Sequence, residues 1–293
     1  MANVLGTLAT GVVIPAALDL VFTKRPLLSR ISLGVSNERC RKDQTIYTRT
    51  LGIPAVGNFG DSAVDTADTD VSVTLSNHKQ VLYSFTADQQ NKSERNLVAE
   101  HAPAMAVAMA NSMVDAIGAL WTTANYTNAT TDATPDYATL VDLRAALAAR
   151  NGMLDGAFCA VNAATYAAFL KDELIVAADK NARSQAINTG VISGIAGFDI
   201  FEYPAIISTN SLTGFAGLKD SAVLAMRPPS NPQDISDAPY AGKLTYVTGP
   251  ESGITVMVNE WIDQSTLAVN VRLIWLYGVA VGNATNGQRL VSA

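Results

Sequence analysis

The sequence predicts an α+β protein built on long antiparallel strands and one long helix. Three observations carry that class. Val71, Val73 and Leu75 alternate with Ser72, Thr74 and Ser76, and Val81, Tyr83 and Phe85 continue the alternation, the period of half-buried strands. Leu97, His101, Met105, Met109, Met113, Ile117 and Trp121 recur at four-residue steps, which makes one slowly turning apolar stripe on a helix. Near the end, Leu267, Val269, Val271, Leu273 and Trp275 alternate with Ala268, Asn270 and Arg272, facing a strand over residues 254–262 across the turn Asp263-Gln264-Ser265.

The chain has 293 residues, enough to bury a large core in one or two domains. Apolar residues make up 48% and charged residues only 16%, against about 25% charged in an average soluble protein. Such charge-poor surfaces suit obligate assemblies, which bury them. A secreted β-rich protein has the same composition, and composition alone does not separate the two. The net charge is −6, so the whole molecule is no polyanion binder. Basic residues nonetheless crowd one N-terminal stretch: Lys24, Arg25, Arg30, Arg39, Arg41 and Lys42, with Glu38 the only acid among them. That stretch is either a face turned towards nucleic acid or a solvated arm without a ligand, and the residues alone favour the second.

Cys40 and Cys159 match no zinc, redox or disulfide spacing, which points to free thiols in a reducing cytoplasm. The apolar stretch 4–22 is interrupted by Pro15 and Asp19, and no Lys or Arg precedes it, so it lacks the charged start of a signal peptide. The apolar run 273–281, about ten residues, is too short to span a bilayer. The expectation is a soluble protein with no membrane partner.

In chain order, residues 16–22 form a short amphipathic helix within an N-terminal arm that runs to about residue 42. Residues 43–85 read as strands, with Ile46, Tyr47, Thr48 and Thr50 as β-formers. Between the strands, 51–70 holds Gly52, Pro54, Gly57, Gly60 and four Asp, which cannot build a core. Two strands with this polar tip make an extended hairpin arm. The long helix then spans 93–121, about 43 Å at 1.5 Å per residue. Ser93 is its candidate cap, and Pro103 is expected to kink it or start a second helix.

A Thr/Asn-rich linker covers 125–136, and a helix follows over 137–150 up to Asn151-Gly152. A buried strand at 157–161 leads through the candidate cap Asn162 into a helix at 163–171. Residues 180–193 read as a loop, 197–203 and 222–226 as strands, and 227–242 as a Pro/Asn/Asp-rich loop. The tail 282–293 is small and polar.

Catalytic chemistry is not legible. Only His78 and His101 are present. His101 sits on the apolar helix stripe, and His78 falls between two strands as an exposed turn residue. Ser193, in Gly-Val-Ile-Ser-Gly, lacks the spacing of a nucleophile elbow. Asp61, Asp65, Asp68 and Asp70 fit no known calcium loop and read as a solvated tip. No cofactor or metal ligand set is expected, and no enzyme.

The order of elements resembles a family. "FCAVNAATYAAFL" (158–170) is similar to the strand–Asn–helix segment of tailed-bacteriophage major capsid proteins of the Hong Kong 97-like fold. "ISGIAGFDIFEYPAI" (192–206) resembles the glycine-then-strand segment that follows it. "VRLIWLYGVAVGNATNGQRLVSA" resembles the C-terminus of short-tailed-phage coat proteins. The resemblance covers nearly the whole chain. It implies an N-terminal arm at 1–42, an E-loop hairpin at 43–87 and the spine helix of a peripheral domain within 88–135. An axial domain at 136–250 and the long peripheral strands with the C-terminal tail at 251–293 would complete it.

By the same resemblance the protein is an icosahedral head-shell subunit that assembles into pentamers and hexamers around double-stranded DNA, bound without sequence specificity. Its partners would be copies of itself, a separate scaffolding protein, a portal and a decoration protein. It would be assembled in the host cytoplasm and reside in the virion. Candidate intersubunit contacts are Leu51, Ile53, Pro54, Val56 and Phe59, and the basic stretch 24–42 becomes a candidate interior arm. Two rivals stand beside it: an encapsulin-type nanocompartment shell, which shares the fold, and a β-rich binding or adhesion protein.

Overall fold

Residues 13–50, 59, 69–86, 88–89, 97–151, 154–175, 192–203, 206, 211–231 and 242–292 are described by the computed structural model. In chain order they form α1 (Ile14–Lys24), β1 (Ser32–Val35), β2 (Thr45–Thr50), β3 (Thr69–Thr74), β4 (Asn77–Phe85) and α2 (Leu97–Gly118). There follow β5 (Ala129–Thr131), α3 (Tyr137–Asn151), β6 (Phe158–Val161), α4 (Ala163–Lys171), β7 (Ser193–Ile195), β8 (Phe198–Glu202) and β9 (Leu212–Gly217). The last elements are β10 (Ala222–Arg227), β11 (Lys243–Thr248), β12 (Thr255–Ile262), β13 (Val269–Val281) and β14 (Gly287–Val291).

The first sheet is organised on β13, whose 13 residues would reach about 43 Å at roughly 3.3 Å each. Strand β4 pairs with residues 269–277 along one edge. Strands β12 and β10 divide the other edge, pairing with 269–274 and 276–281. Strand β11 adds beyond β12, and β1 adds in parallel to β10. Val81, Val258, Val271, Leu273, Trp275 and Tyr277 face one way, onto the stripe Met105, Met109, Met113 and Ile117 of α2. This core fits the alternation and the four-residue spacing of the sequence. A single helix runs through Pro103, which lies on its exposed side, where the missing backbone hydrogen bond is open to water. Residues 93–96 lie outside the described residues.

The second sheet runs β5-β14-β9-β6-β8-β7. Leu140, Leu143 and Leu147 of α3 and Phe169 of α4 are buried on it against Cys159, Val161 and Ile200. Asn162 caps α4 as expected, accepting from the Thr165 amide at 2.8 Å. An aromatic cluster joins this sheet to the end of α2. Trp121 stacks on Phe215 at 4.9 Å, Tyr126 meets Phe215 edge-on at 4.8 Å, and Tyr203 meets Trp121 edge-on at 5.9 Å.

Several sequence expectations are corrected here. The N-terminal stretch is not all arm, because Ile14, Ala17, Leu18 and Val21 of α1 are buried against α2. Burying Ile14, Leu18 and Val21 contributes about 1.5–3 kcal/mol each towards ordering the segment. On the other side of α1, Asp19 accepts from the Glu251 and Ser252 amides at 3.1 and 2.9 Å.

The 125–136 linker contains β5, and the polar tail contains β14, an interior strand of the second sheet. Its polar residues are internally satisfied. Arg289 Nε donates to the Tyr126 carbonyl at 2.7 Å, Gln288 Nε2 donates to Thr130 Oγ1 at 2.9 Å, and Gln288 Oε1 accepts from Arg150 at 2.7 Å. His78 lies within β4 rather than in a turn, and it is exposed. Sheet membership also crosses the expected segment boundaries. β4 belongs to the first sheet and not to the hairpin arm, β10 and β11 join the first sheet, and β5 and β14 join the second.

Candidate functional site

The feature that stands apart from both sheets is the hairpin of β2 and β3, a two-stranded sheet of its own. Its register explains its faces. Ile46 lies opposite Val73 and Thr48 opposite Val71, and these four are the more buried positions. Tyr47 lies opposite Ser72 and Arg49 opposite Asp70, and these are exposed. Arg49 Nε bonds Asp70 Oδ1 at 3.2 Å across the pair. The inward row packs with Cys40, Leu75, Val223, Ala225, Ala280 and Leu276 on the outer face of the first sheet. At the root, the Asp43 amide donates to the Leu75 carbonyl and the Leu75 amide to the Gln44 carbonyl, both at 2.9 Å. Asp43 adopts φ +65° there, a left-handed turn that Asp tolerates.

Of the candidate intersubunit residues, Leu51, Ile53, Pro54 and Val56 lie outside the described residues, as do Asp61, Asp65 and Asp68. Phe59 is fully exposed. Sequence reasoning did not single out Leu82 and Ile262, and it read Tyr47 as a strand former and Leu267 as part of the last long strand's alternation. That strand begins at Val269, and all four side chains are exposed. Ile262 and Leu267 flank a turn held by Asp263, whose carboxylate accepts from Ser265 and Thr266. Those hydrogen bonds lower its pKa. Leu267 there has φ +53°, a strained setting for a branched side chain.

The basic stretch is not one free patch. Arg30 pairs with Asp199, Arg25 Nε donates to Asn111 at 2.7 Å, and the Arg39 guanidinium lies 4.3 Å over the Tyr246 ring. Lys42 is 4.0 Å from its neighbour Asp43. Lys24, Arg41 and Lys42 are exposed.

The remaining polar groups build structure. His101 stacks on Tyr83 at 5.1 Å and lies 5.5 Å from Phe85, so it packs on the helix stripe. Cys40 and Cys159 are free and buried. Full burial pushes the Cys159 thiol up to about 12, which keeps it unreactive. A groove of about 510 Å³ between β4 and α2 is lined by Lys79, Gln80, Ser112, Asp115 and Tyr277, among others. Three of these groups bond within the protein: Ser112 with Tyr277 at 2.8 Å, and Asp115 with Tyr203 at 2.6 Å. Among the described residues no group of three His, Cys, Asp or Glu could hold a metal ion. No described helix is long and apolar enough to cross a membrane.

No family model matches the chain, nor does any curated protein. Solved structures do. The capsid of the cyanophage P-SCSP1u is similar over 90% of this chain and 86% of its own, with TM-score 0.60 and 8% identity. A chain of Mycobacterium phage Che8 is similar over 85% of both chains, with TM-score 0.56 and 19% identity. A virus-like particle from Pyrococcus furiosus is similar over 94% of this chain and 96% of its own, with TM-score 0.54 and 13% identity. Two sheets, the long helix α2 and the two-stranded hairpin therefore define a class: the fold of the solved capsid structures. Within that class the fold is the mixed helix-and-sheet one of phage capsids, as the sequence predicted. At these identities the likeness is one of fold, and it does not single out short-tailed phages.

Proposed function

We propose that the chain is the major capsid protein of a tailed bacteriophage, a shell subunit rather than an enzyme. Copies assemble into pentamers and hexamers and close into the icosahedral head around double-stranded DNA. The observation that carries this reading is coverage. The likeness to the P-SCSP1u capsid takes in 90% of this chain and 86% of that one. A likeness spanning both chains leaves little of either outside the shared architecture. The low charge content and the exposed apolar residues Tyr47, Phe59, Ile262 and Leu267 add support, since broad subunit contacts cover such surface.

On this reading the β2–β3 hairpin is the E-loop within 43–87, and α2 is the spine helix within 88–135. The second sheet with α3 and α4 makes up most of the axial domain at 136–250, and β12 and β13 are the long peripheral strands within 251–293. Leu51, Ile53, Pro54, Val56 and Phe59 contact the neighbouring subunit. The N-terminal arm expected at 1–42 is then narrowed by the packing of α1 into the core, and the exposed Lys24, Arg41 and Lys42 are its cations for packaged DNA. Scaffolding, portal and decoration proteins are its partners, and assembly takes place in the host cytoplasm.

The test is assembly of the purified chain with its scaffolding protein, followed by light scattering and electron microscopy. Particles of megadalton mass support the reading, and a clean monomer at high concentration with scaffold present overturns it. The Pyrococcus furiosus particle gives a second reading, an encapsulin-type compartment. Particles isolated from producing cells separate the two, because a phage head protects double-stranded DNA from nuclease and a compartment encloses protein. A β-rich binding or adhesion protein has no such support, because the fold matches shell subunits.

A further inference from the structure

The hairpin arm lies on a surface from which side chains have been stripped. Gly34 of β1 pairs with Ala225 of β10, and Ala225 pairs with Gly278 of β13. The three residues form one row across three adjacent strands. The next row on that face is Ser32, Val223 and Ala280. Neighbours on one face of a sheet lie side by side, so these pairings make a shallow trough across the strands. Its occupant is already seated: Val71, Val73 and Ile46 of the arm pack with Val223, Ala225 and Ala280.

The approach is closest at the root of the arm. A Cβ on Gly278 would stand 2.2 Å from the Thr74 carbonyl oxygen, 2.8 Å from its carbon and 3.0 Å from Val73 Cγ1. Two of those atoms are backbone and cannot rotate away. Further out the fit slackens, and a Cβ on Gly34 would meet Thr48 Oγ1 at 3.8 Å, ordinary contact. The arm therefore rests on the sheet at Thr74 and has room by Thr48.

We propose that Gly34, Ala225 and Gly278 are positioning residues of the arm: their missing bulk sets the height and tilt at which β2 and β3 leave the first sheet. The direction of the arm then determines where it meets a neighbouring copy. That last step rests on the shell reading, whereas the positioning itself does not. The root hydrogen bonds of Asp43 and Leu75 hold the arm's base in place, so bulk added beneath it tilts the arm rather than releasing it.

The experiment is a size series read in two ways. Spin labels on Tyr47→Cys and Lys219→Cys, both exposed positions, report the distance from arm to body in the unassembled subunit. Electron microscopy reports the assembled product. Gly34→Ala should leave both unchanged. Gly34→Leu, which extends about 2.5 Å past Cβ, should shift the distance by about 2–3 Å and give shells of altered diameter or open sheets. Combining it with Thr48→Gly should restore both. Gly278→Ala should shift the distance too, and if it fails to fold, the Gly34 series decides.

An unchanged distance in a folded Gly34→Leu subunit overturns the positioning role. A shifted distance with normal shells overturns the link from arm direction to assembly. If the unsubstituted chain forms no shell at all, the shell reading falls, while the distance series still decides the trough.

Discussion

Phe215 sits at the centre of the aromatic cluster that joins the second sheet to the end of α2, and its replacement gives a quantitative test. The ring is fully buried on β9. Trp121 lies parallel to it at 4.9 Å with 4° between planes, Tyr126 meets it at 4.8 Å and 68°, and Phe158 at 6.2 Å and 38°. Phe215→Leu keeps most of the apolar volume and removes the ring contacts. The two close aromatic pairs are worth about 0.5–1.5 kcal/mol each beyond buried area. Reshaping a close-packed site adds about 1 kcal/mol. The expected loss is about 2–4 kcal/mol, which for a chain of this size lowers Tm by about 3–7 °C. Calorimetry of the unassembled subunit measures it. A double-mutant cycle with Trp121→Leu should return a coupling of about 1 kcal/mol. A loss under about 1 kcal/mol with no coupling to Trp121 would show that the cluster does not hold the second sheet to α2.

Two further outcomes follow from packing and charge. His101→Leu should leave stability and assembly intact, because Tyr83 and Phe85 offer an apolar seat. His101→Asp should lower Tm by setting a partly desolvated charge against the Tyr83 and Phe85 rings. If Leu abolishes assembly while Asp is tolerated, the stripe has been misread. Burial raises the Glu260 carboxyl above its ordinary pKa, with Lys243 opposing. A raised carboxyl pKa means that the folded state binds the proton more tightly than the unfolded state does. Glu260 therefore costs stability as pH rises from the unfolded value, near 4.5, through the folded one. Glu260→Gln should match the parent below about pH 4 and exceed it in Tm at neutral pH, and a pH-independent difference would refute this.

Local periodicity in the chain already determined the α2 stripe, the β12–β13 hairpin, the Asn162 cap and the paired faces of β2 and β3. Each is a pattern of near neighbours: four-residue steps, alternation, or a capping residue three positions before its partner amide. Free cysteines and a packed His101 were legible for the same reason. The family-like order of elements, arm, hairpin, long helix, mixed region and final hairpin, was legible as a sequence of such patterns.

Only the tertiary structure decided the rest. β14 is interior although its segment reads as a polar tail, because Gln288 and Arg289 find partners at Arg150, Thr130 and Tyr126, more than a hundred residues away. β9 carries no alternation, because five of its six positions are buried. The start of the chain reads as an arm, yet α1 joins the core, since whether an amphipathic face is loose or packed depends on what lies opposite. The trough of Gly34, Ala225 and Gly278 is likewise invisible in one dimension. Three small residues scattered over 245 positions become one surface only when strand register sets them side by side. Pairing between distant strands is fixed by the packing of the whole chain, and no local period encodes it.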